Sequence, residues 1–130
     1  MSEREKALEK LTVGDIFHAE SPSGASLICL VTSVTKDIIE ARTVTTQLDF
    51  RFDRRTGVAK WGDKQVPCTV DSVAPLPAEV HDVMLEMDRK YRFEQDPEKL
   101  KLNAAEKRAL LFIGPYYASN PLRPIEHQAS

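Results

Sequence analysis

Residues 38–53 read IIEARTVTTQLDFRFD, and the alternation of hydrophobic residues along them decides the fold. In the first half, Ile39 and Ala41 stand opposite Glu40 and Arg42; in the second, Leu48, Phe50 and Phe52 stand opposite Asp49, Arg51 and Asp53. Strand side chains point alternately to two faces, so the inward set changes here from odd to even positions. Such a switch requires an extra residue, as a bulge or a turn, near Thr45 to Gln47. Strongly bent strands of this kind turn the corners of small barrels.

The neighbouring segments carry the same short-strand rhythm. Val13 to Glu20 reads as a strand closed by Ser21-Pro22-Ser23-Gly24, a cluster of turn formers. Leu27 to Val34 is apolar on both faces, with Leu27, Cys29 and Val31 on one and Ile28, Leu30 and Val34 on the other. A strand of that pattern needs cover on both sides. Downstream, Asp53-Arg54-Arg55-Thr56-Gly57 is a hairpin loop, Val58 to Trp61 returns, Gly62-Asp63 turns again, and Val66 to Val73 makes a last strand. The expected class is α+β, mainly β: a barrel of five or six strands with helices added at both ends. At the level of fold alone it resembles the SH3-like small barrels, an architecture that hosts peptide binders, RNA binders and scaffolds alike.

The flanks read as helical. Ser2 and Glu5 fit a capping box, and Ala7, Leu8 and Leu11 form an apolar stripe that must dock to persist. After Pro75-Leu76-Pro77, the residues Val80, Val83, Met84, Met87 and Tyr91 recur at helical spacing, which makes this helix the expected roof over the doubly apolar strand. Glu86 with Lys90, and Asp88 with Arg92, are i,i+4 pairs in the favourable order. Asp96-Pro97-Glu98 begins another turn. Asn103 and Glu106 then form a capping box for a helix that Gly114 and Pro115 are expected to stop. The expected divisions are an N-terminal helix over 1–12, the barrel over 13–76, a helical extension over 77–114 and an extended arm over 115–130.

At 130 residues, 42% of them hydrophobic and 29% charged, the chain suits one globular core. No apolar run approaches the ~20 residues of a membrane span, so no membrane partner is expected. MSEREKALEKL lacks the apolar stretch of a secretory signal, and cytoplasm is the expected compartment. There Cys29 and Cys68 are expected to be reduced core thiols. A formal charge of −2 argues against a surface that grips nucleic acid all over.

Catalytic and cofactor motifs are scarce. The three histidines, His18, His81 and His127, accompany no G-x-S-x-G nucleophile turn. His81-Asp82 near Glu86 offers only one imidazole to a metal, and no C-x-x-C or H-E-x-x-H occurs. Neither G-x-G-x-x-G nor the Walker pattern is present. A non-enzymatic binding module without metal or cofactor is the expectation.

Two stretches qualify as its binding surface. The hairpin Arg51–Lys64 carries Arg51, Arg54, Arg55, Lys60 and Lys64 against Asp53 and Asp63, a net +3, with Arg42 on a neighbouring strand. Trp61, Phe50 and Phe52 interleave with these cations, a combination that nucleic-acid modules use for phosphate contact and stacking. The competing reading places Phe50 and Phe52 in the core by phase and leaves the arginines to solubilise an edge. The second stretch, IGPYYASNPLRP over 113–124, presents Tyr116 and Tyr117, which either fold back or meet a partner. The leading expectation is a protein-interaction or regulatory domain that engages a protein partner or a second copy of itself, a homodimer that covers an edge strand. Nucleic-acid binding through the hairpin is the alternative.

Overall fold

The switch of phase at residues 45–47 is a turn. In the computed structural model, which describes residues 2–61 and 64–122 (61 and 64–67 as backbone only), the segment splits into two strands around it. Gln47 takes the left-handed conformation, φ 56°, and donates its backbone N–H to the Thr43 carbonyl at 2.8 Å. The Thr43 hydroxyl accepts from the Leu48 backbone at 2.9 Å and completes the reversal.

The chain runs α1 (Glu3–Glu9), β1 (Ile16–Glu20), β2 (Ser26–Val34), β3 (Ile38–Thr43), β4 (Asp49–Asp53), β5 (Val58–Trp61), β6 (Lys64–Ser72), α2 (Ala78–Phe93), a 3₁₀ turn (Pro97–Leu100) and α3 (Ala104–Ser119). Each strand lies antiparallel to its sequence neighbours, and β6 closes onto β1, so the six strands form a closed barrel. Closure leaves no free edge among them, which removes the edge-covering argument for a homodimer.

Bulges shape the barrel. Between β2 and β3 the register slips from Val31↔Ala41 to Ser33↔Glu40, leaving Thr32 as an extra residue. The slip carries Val34 to the inside with Cys29 and Val31, rather than to the outer face with Ile28 and Leu30. A second slip between β1 and β6 pairs His18 with Ser72 and Ala19 with Val70, so Asp71 is the extra residue there.

The interior holds Phe17, Ala19, Cys29, Val31, Ile39, Ala41, Phe52, Ala59, Cys68 and Val70, with Leu8 of α1 and Leu11 just beyond that helix joined to the same core. Phe52 is wholly buried and Phe50 half-buried, as the phase of β4 requires, whereas Leu48 belongs to the turn and is exposed. Arg4 anchors α1: its Nε donates to the Thr56 carbonyl at 2.6 Å and its Nη2 to that of Val70 at 2.8 Å.

A second core lies outside the barrel, where the doubly apolar β2 demanded it. Met84 and Met87 of α2 are wholly buried against Ile16, Leu30 and Val44, together with Ala109, Ile113 and Tyr117 of α3. The roof therefore consists of two helices. The capping box at Asn103 and Glu106 is present in both halves, at 2.8 and 2.9 Å. Lys90, expected to pair along its own helix with Glu86, instead reaches across to Glu106 of α3 at 2.7 Å.

Helix α3 does not stop at Gly114. It continues through Pro115 to Ser119, so Tyr116 and Tyr117 belong to a helix and not to an extended arm. Proline in a helix interior removes one hydrogen bond and crowds the preceding turn, at a cost of about 3 kcal/mol. Burying Ile113 and Tyr117, one helical turn apart on the barrel side, offsets it at roughly 1.5–3 kcal/mol for each large side chain. Tertiary packing overrides the local stop signal.

Candidate functional site

The structure takes the basic hairpin apart. Arg42 points to the helical roof, and its Nε and Nη2 donate to the two carboxylate oxygens of Asp88 at 2.9 and 2.8 Å. Gln47 adds a bond to Asp88 Oδ1 at 3.0 Å. Burial pushes the Asp88 carboxyl up, but the hydrogen bonds from Arg42 and Gln47 and the Arg42 charge outweigh it and hold the group below its usual range. Arg42 is thus a tie between β3 and α2.

Arg54 is committed to backbone. Its Nη1 donates to the Thr35 carbonyl at 2.6 Å, and its Nη2 donates to the carbonyls of Glu9 and Leu11 at 2.8 and 3.1 Å. Glu9 is the last residue of α1 and Leu11 lies just beyond it, where a helix leaves carbonyls without partners and favours a cation. Lys60 pairs with Asp53 at 3.2 Å, and the same carboxylate accepts from the backbone of Arg55 and Thr56 at 2.8 and 3.1 Å. Asp53 is a turn-former with its own counter-ion.

Arg51 and Arg55 remain exposed, without an ion pair among the described residues. Arg51 sits opposite Glu40 on one side and Lys60 on the other. Arg55 shares a shallow depression with Glu5, Glu9 and Asp37. The cations that stay outside are interspersed with acids. The side chains of Trp61 and Lys64 lie outside the described residues.

The tyrosines divide as consecutive helical residues must. Tyr117 is buried in the outer core, and burial pushes its phenol well above the ordinary tyrosine range. Tyr116 is half-buried; its hydroxyl donates to the Pro75 carbonyl, and its ring stacks on Phe112 with centroids 5.2 Å apart. Neither tyrosine is held out on a mobile segment.

What α3 exposes instead is Leu111, at 76%, and Phe112, at 41%. They stand in a helical run, residues 109–119, that contains no charged residue. Phe112 helps line a groove between α2 and α3, together with Val80, Val83 and Ala109 and with Glu79 and Arg108. Sequence reading missed these residues because it spent the apolar run on the core. The available signal was breadth: a surface helix buries a stripe, and this run is apolar all round.

His81 Nε2 donates to the Gly14 carbonyl, 2.9 Å away, since a carbonyl only accepts. No group of three or more His, Cys, Asp or Glu suited to a metal occurs among the described residues, and no helix there is long and apolar enough to cross a membrane. Fold and geometry define a small closed β-barrel roofed by two helices. No family model, curated protein or solved structure matches the chain.

Proposed function

We propose that this chain is a protein-binding module whose contact surface is the outer face of the α2–α3 pair. One observation carries the reading: Leu111 and Phe112 stand exposed side by side on an uncharged stretch of helix, beside a groove lined by Val80 and Val83. Adjoining exposed apolar side chains with a polar rim mark contact sites, and Leu111 is more exposed than Phe93, Val13 or Leu48, the other large hydrophobic residues left outside among those described. The groove's lining adds one acid, Glu79 of α2, and one base, Arg108 of α3, to its apolar residues, which suits a partner helix that carries charges of both signs. A reducing compartment such as the cytoplasm suits the two buried free thiols, Cys29 and Cys68.

The partner is a second copy of the chain or another protein. Light scattering across a concentration series reads the first, and crosslinking with affinity capture reads the second. Leu111→Asp with Phe112→Ser should abolish assembly or remove specific captured proteins while leaving the circular dichroism unchanged. A chain that stays monomeric at every concentration, with a captured set identical for wild type and double variant, would overturn this reading.

A further inference from the structure

Three consecutive strands, β6, β1 and β2, bring an acid, an imidazole and a hydroxyl into one hydrogen-bonded chain on the outer barrel surface. His18 Nδ1 lies 2.5 Å from Asp71 Oδ1, and His18 Nε2 is hydrogen-bonded to Ser26 Oγ. In the neutral imidazole, a carboxylate that only accepts puts the proton on Nδ1 and leaves the lone pair of Nε2 facing the serine hydroxyl. The groups differ in access: His18 is nine-tenths buried, while Ser26 is exposed on the last rung of the β1–β2 pair.

The fold builds this arrangement deliberately. His18 and Ser26 are diagonal neighbours on the outer face, since His18 pairs with Ile28 and Ser26 with Glu20. Asp71 arrives from the opposite side because it is the extra residue of the β1–β6 bulge, and bulges re-aim side chains in this way. The Tyr117 ring lies against the imidazole with centroids 5.3 Å apart and fixes its plane. Tyr117 is itself buried, with a hydroxyl that has no hydrogen-bond partner among the described residues.

We propose that Ser26 is an acyl-accepting nucleophile, with His18 as its general base and Asp71 as the residue that positions the imidazole. Ser26 Oγ bonds to the carbonyl carbon of an ester while its proton passes to His18 Nε2. The bond from that carbon to the leaving oxygen then breaks, and His18 Nε2 returns the proton to the departing alcohol. Acyl-Ser26 and free alcohol are the products; water, giving its proton to His18 Nε2, then adds to the acyl carbon, the bond to Ser26 Oγ breaks with return of the proton to the serine, and the carboxylic acid leaves. Glu20, opposite Ser26 on the β1–β2 pair, and Asp71, beyond the imidazole, give the site negative charge, which favours a neutral ester over an anionic phosphoester.

The relay sets the size of the effect. General-base assistance accounts for about 10²–10⁴-fold. No pair of backbone donors is assigned to the oxyanion among the described residues, so slow acylation read as a stoichiometric adduct is the expected behaviour. The full chain is incubated with p-nitrophenyl acetate and mapped by peptide mass spectrometry. One acetyl group is expected on Ser26, absent in Ser26→Ala and formed at least about a hundredfold more slowly in His18→Gln. Asp71→Asn should slow the same reaction and Asp71→Glu partly restore it, a rescue that a merely structural bond would not give in the acylation rate. Melting curves screen the variants, and because Ser26 is exposed, Ser26→Ala serves even if His18→Gln unfolds. Acetyl groups on lysines alone, or equal labelling of Ser26 in wild type and in a folded His18 or Asp71 variant, would overturn the assignment.

Discussion

Arg42 on β3 grips both carboxylate oxygens of Asp88 on α2, and Asp88 is all but sealed from solvent at 2% exposure. The pair joins barrel to roof across 46 residues of sequence. A buried ion pair adds little net stability over apolar packing, because desolvation consumes most of the attraction. It gives orientation: α2 can settle on the barrel in only one rotation that satisfies the carboxylate.

Removing one partner is therefore worse than never having had the pair. Arg42→Gln should destabilise the fold by up to roughly 3–5 kcal/mol, since Asp88 stays buried with only the looser contact to Arg92, at 3.9 Å, in place of its bidentate cation. Urea melts of wild type and variant at pH 7 test the magnitude. The same pair sets an acid limit. Asp88 and Asp53 both sit below the usual carboxylate range, so the unfolded chain takes up protons first. Their contribution is complete above the ordinary carboxylate value, about 4, and is lost as pH falls through the lower folded values. Wild type should lose stability steeply below pH 4, and Arg42→Gln should lose less over that interval.

Gly57 and Gly114 should respond in opposite directions to alanine. Gly57 holds φ 76° at the β4–β5 hairpin, and a Cβ there would stand 2.7 Å from Arg4 Nη2 and 3.1 Å from Val70 Cβ. Strain and the displaced Arg4 anchor together should cost about 1–3 kcal/mol. Gly114 is helical and a Cβ meets nothing within 4 Å, so Gly114→Ala should gain up to about 1 kcal/mol. Thermal melts of the two variants side by side check the sign of each.

Residues whose local pattern and tertiary role agree were legible from sequence. The corner near Thr45–Gln47, the β5 strand and the burial of Met84 and Met87 follow from alternation and helical spacing, because these residues have one apolar face and the fold buries it. Bulges were not legible: Thr32 and Asp71 look like ordinary strand residues, and only the partner strand reveals that each is extra. The same blindness hid the site. Arg42, Arg54 and Lys60 read as free cations until Asp88, the backbone at the end of α1 and Asp53 came within reach. His18, Ser26 and Asp71 lie too far apart in sequence for any short motif to join them.

Nucleic-acid binding, the alternative drawn from the hairpin, now has a ceiling. Of its cations, Arg51 and Arg55 stay exposed without ion pairs among the described residues, and the side chain of Lys64 lies outside them. Three phosphate contacts give a slope of log K against log salt near −2.7, at about −0.9 per phosphate. Titration of salt against single- and double-stranded oligonucleotides should show a slope no steeper than that. A slope of about −5 or beyond would mean that Arg42, Arg54 and Lys60 leave their partners on binding.

Pro115 tests whether α3 truly runs past it. In a helix, proline withholds the N–H due to the Leu111 carbonyl and crowds the turn before it. Pro115→Ala restores that bond without touching the buried residues Ile113 and Tyr117. If the helix continues to Ser119, the substitution should stabilise the chain by about 1–3 kcal/mol and raise the melting temperature. If residues beyond Gly114 were an extended arm, alanine would instead free the unfolded chain and leave stability unchanged or slightly lower. The two cases differ in sign, so one pair of melting curves decides between them. A rise would also tighten the platform on which Leu111 and Phe112 stand, and partner binding should strengthen with it rather than weaken.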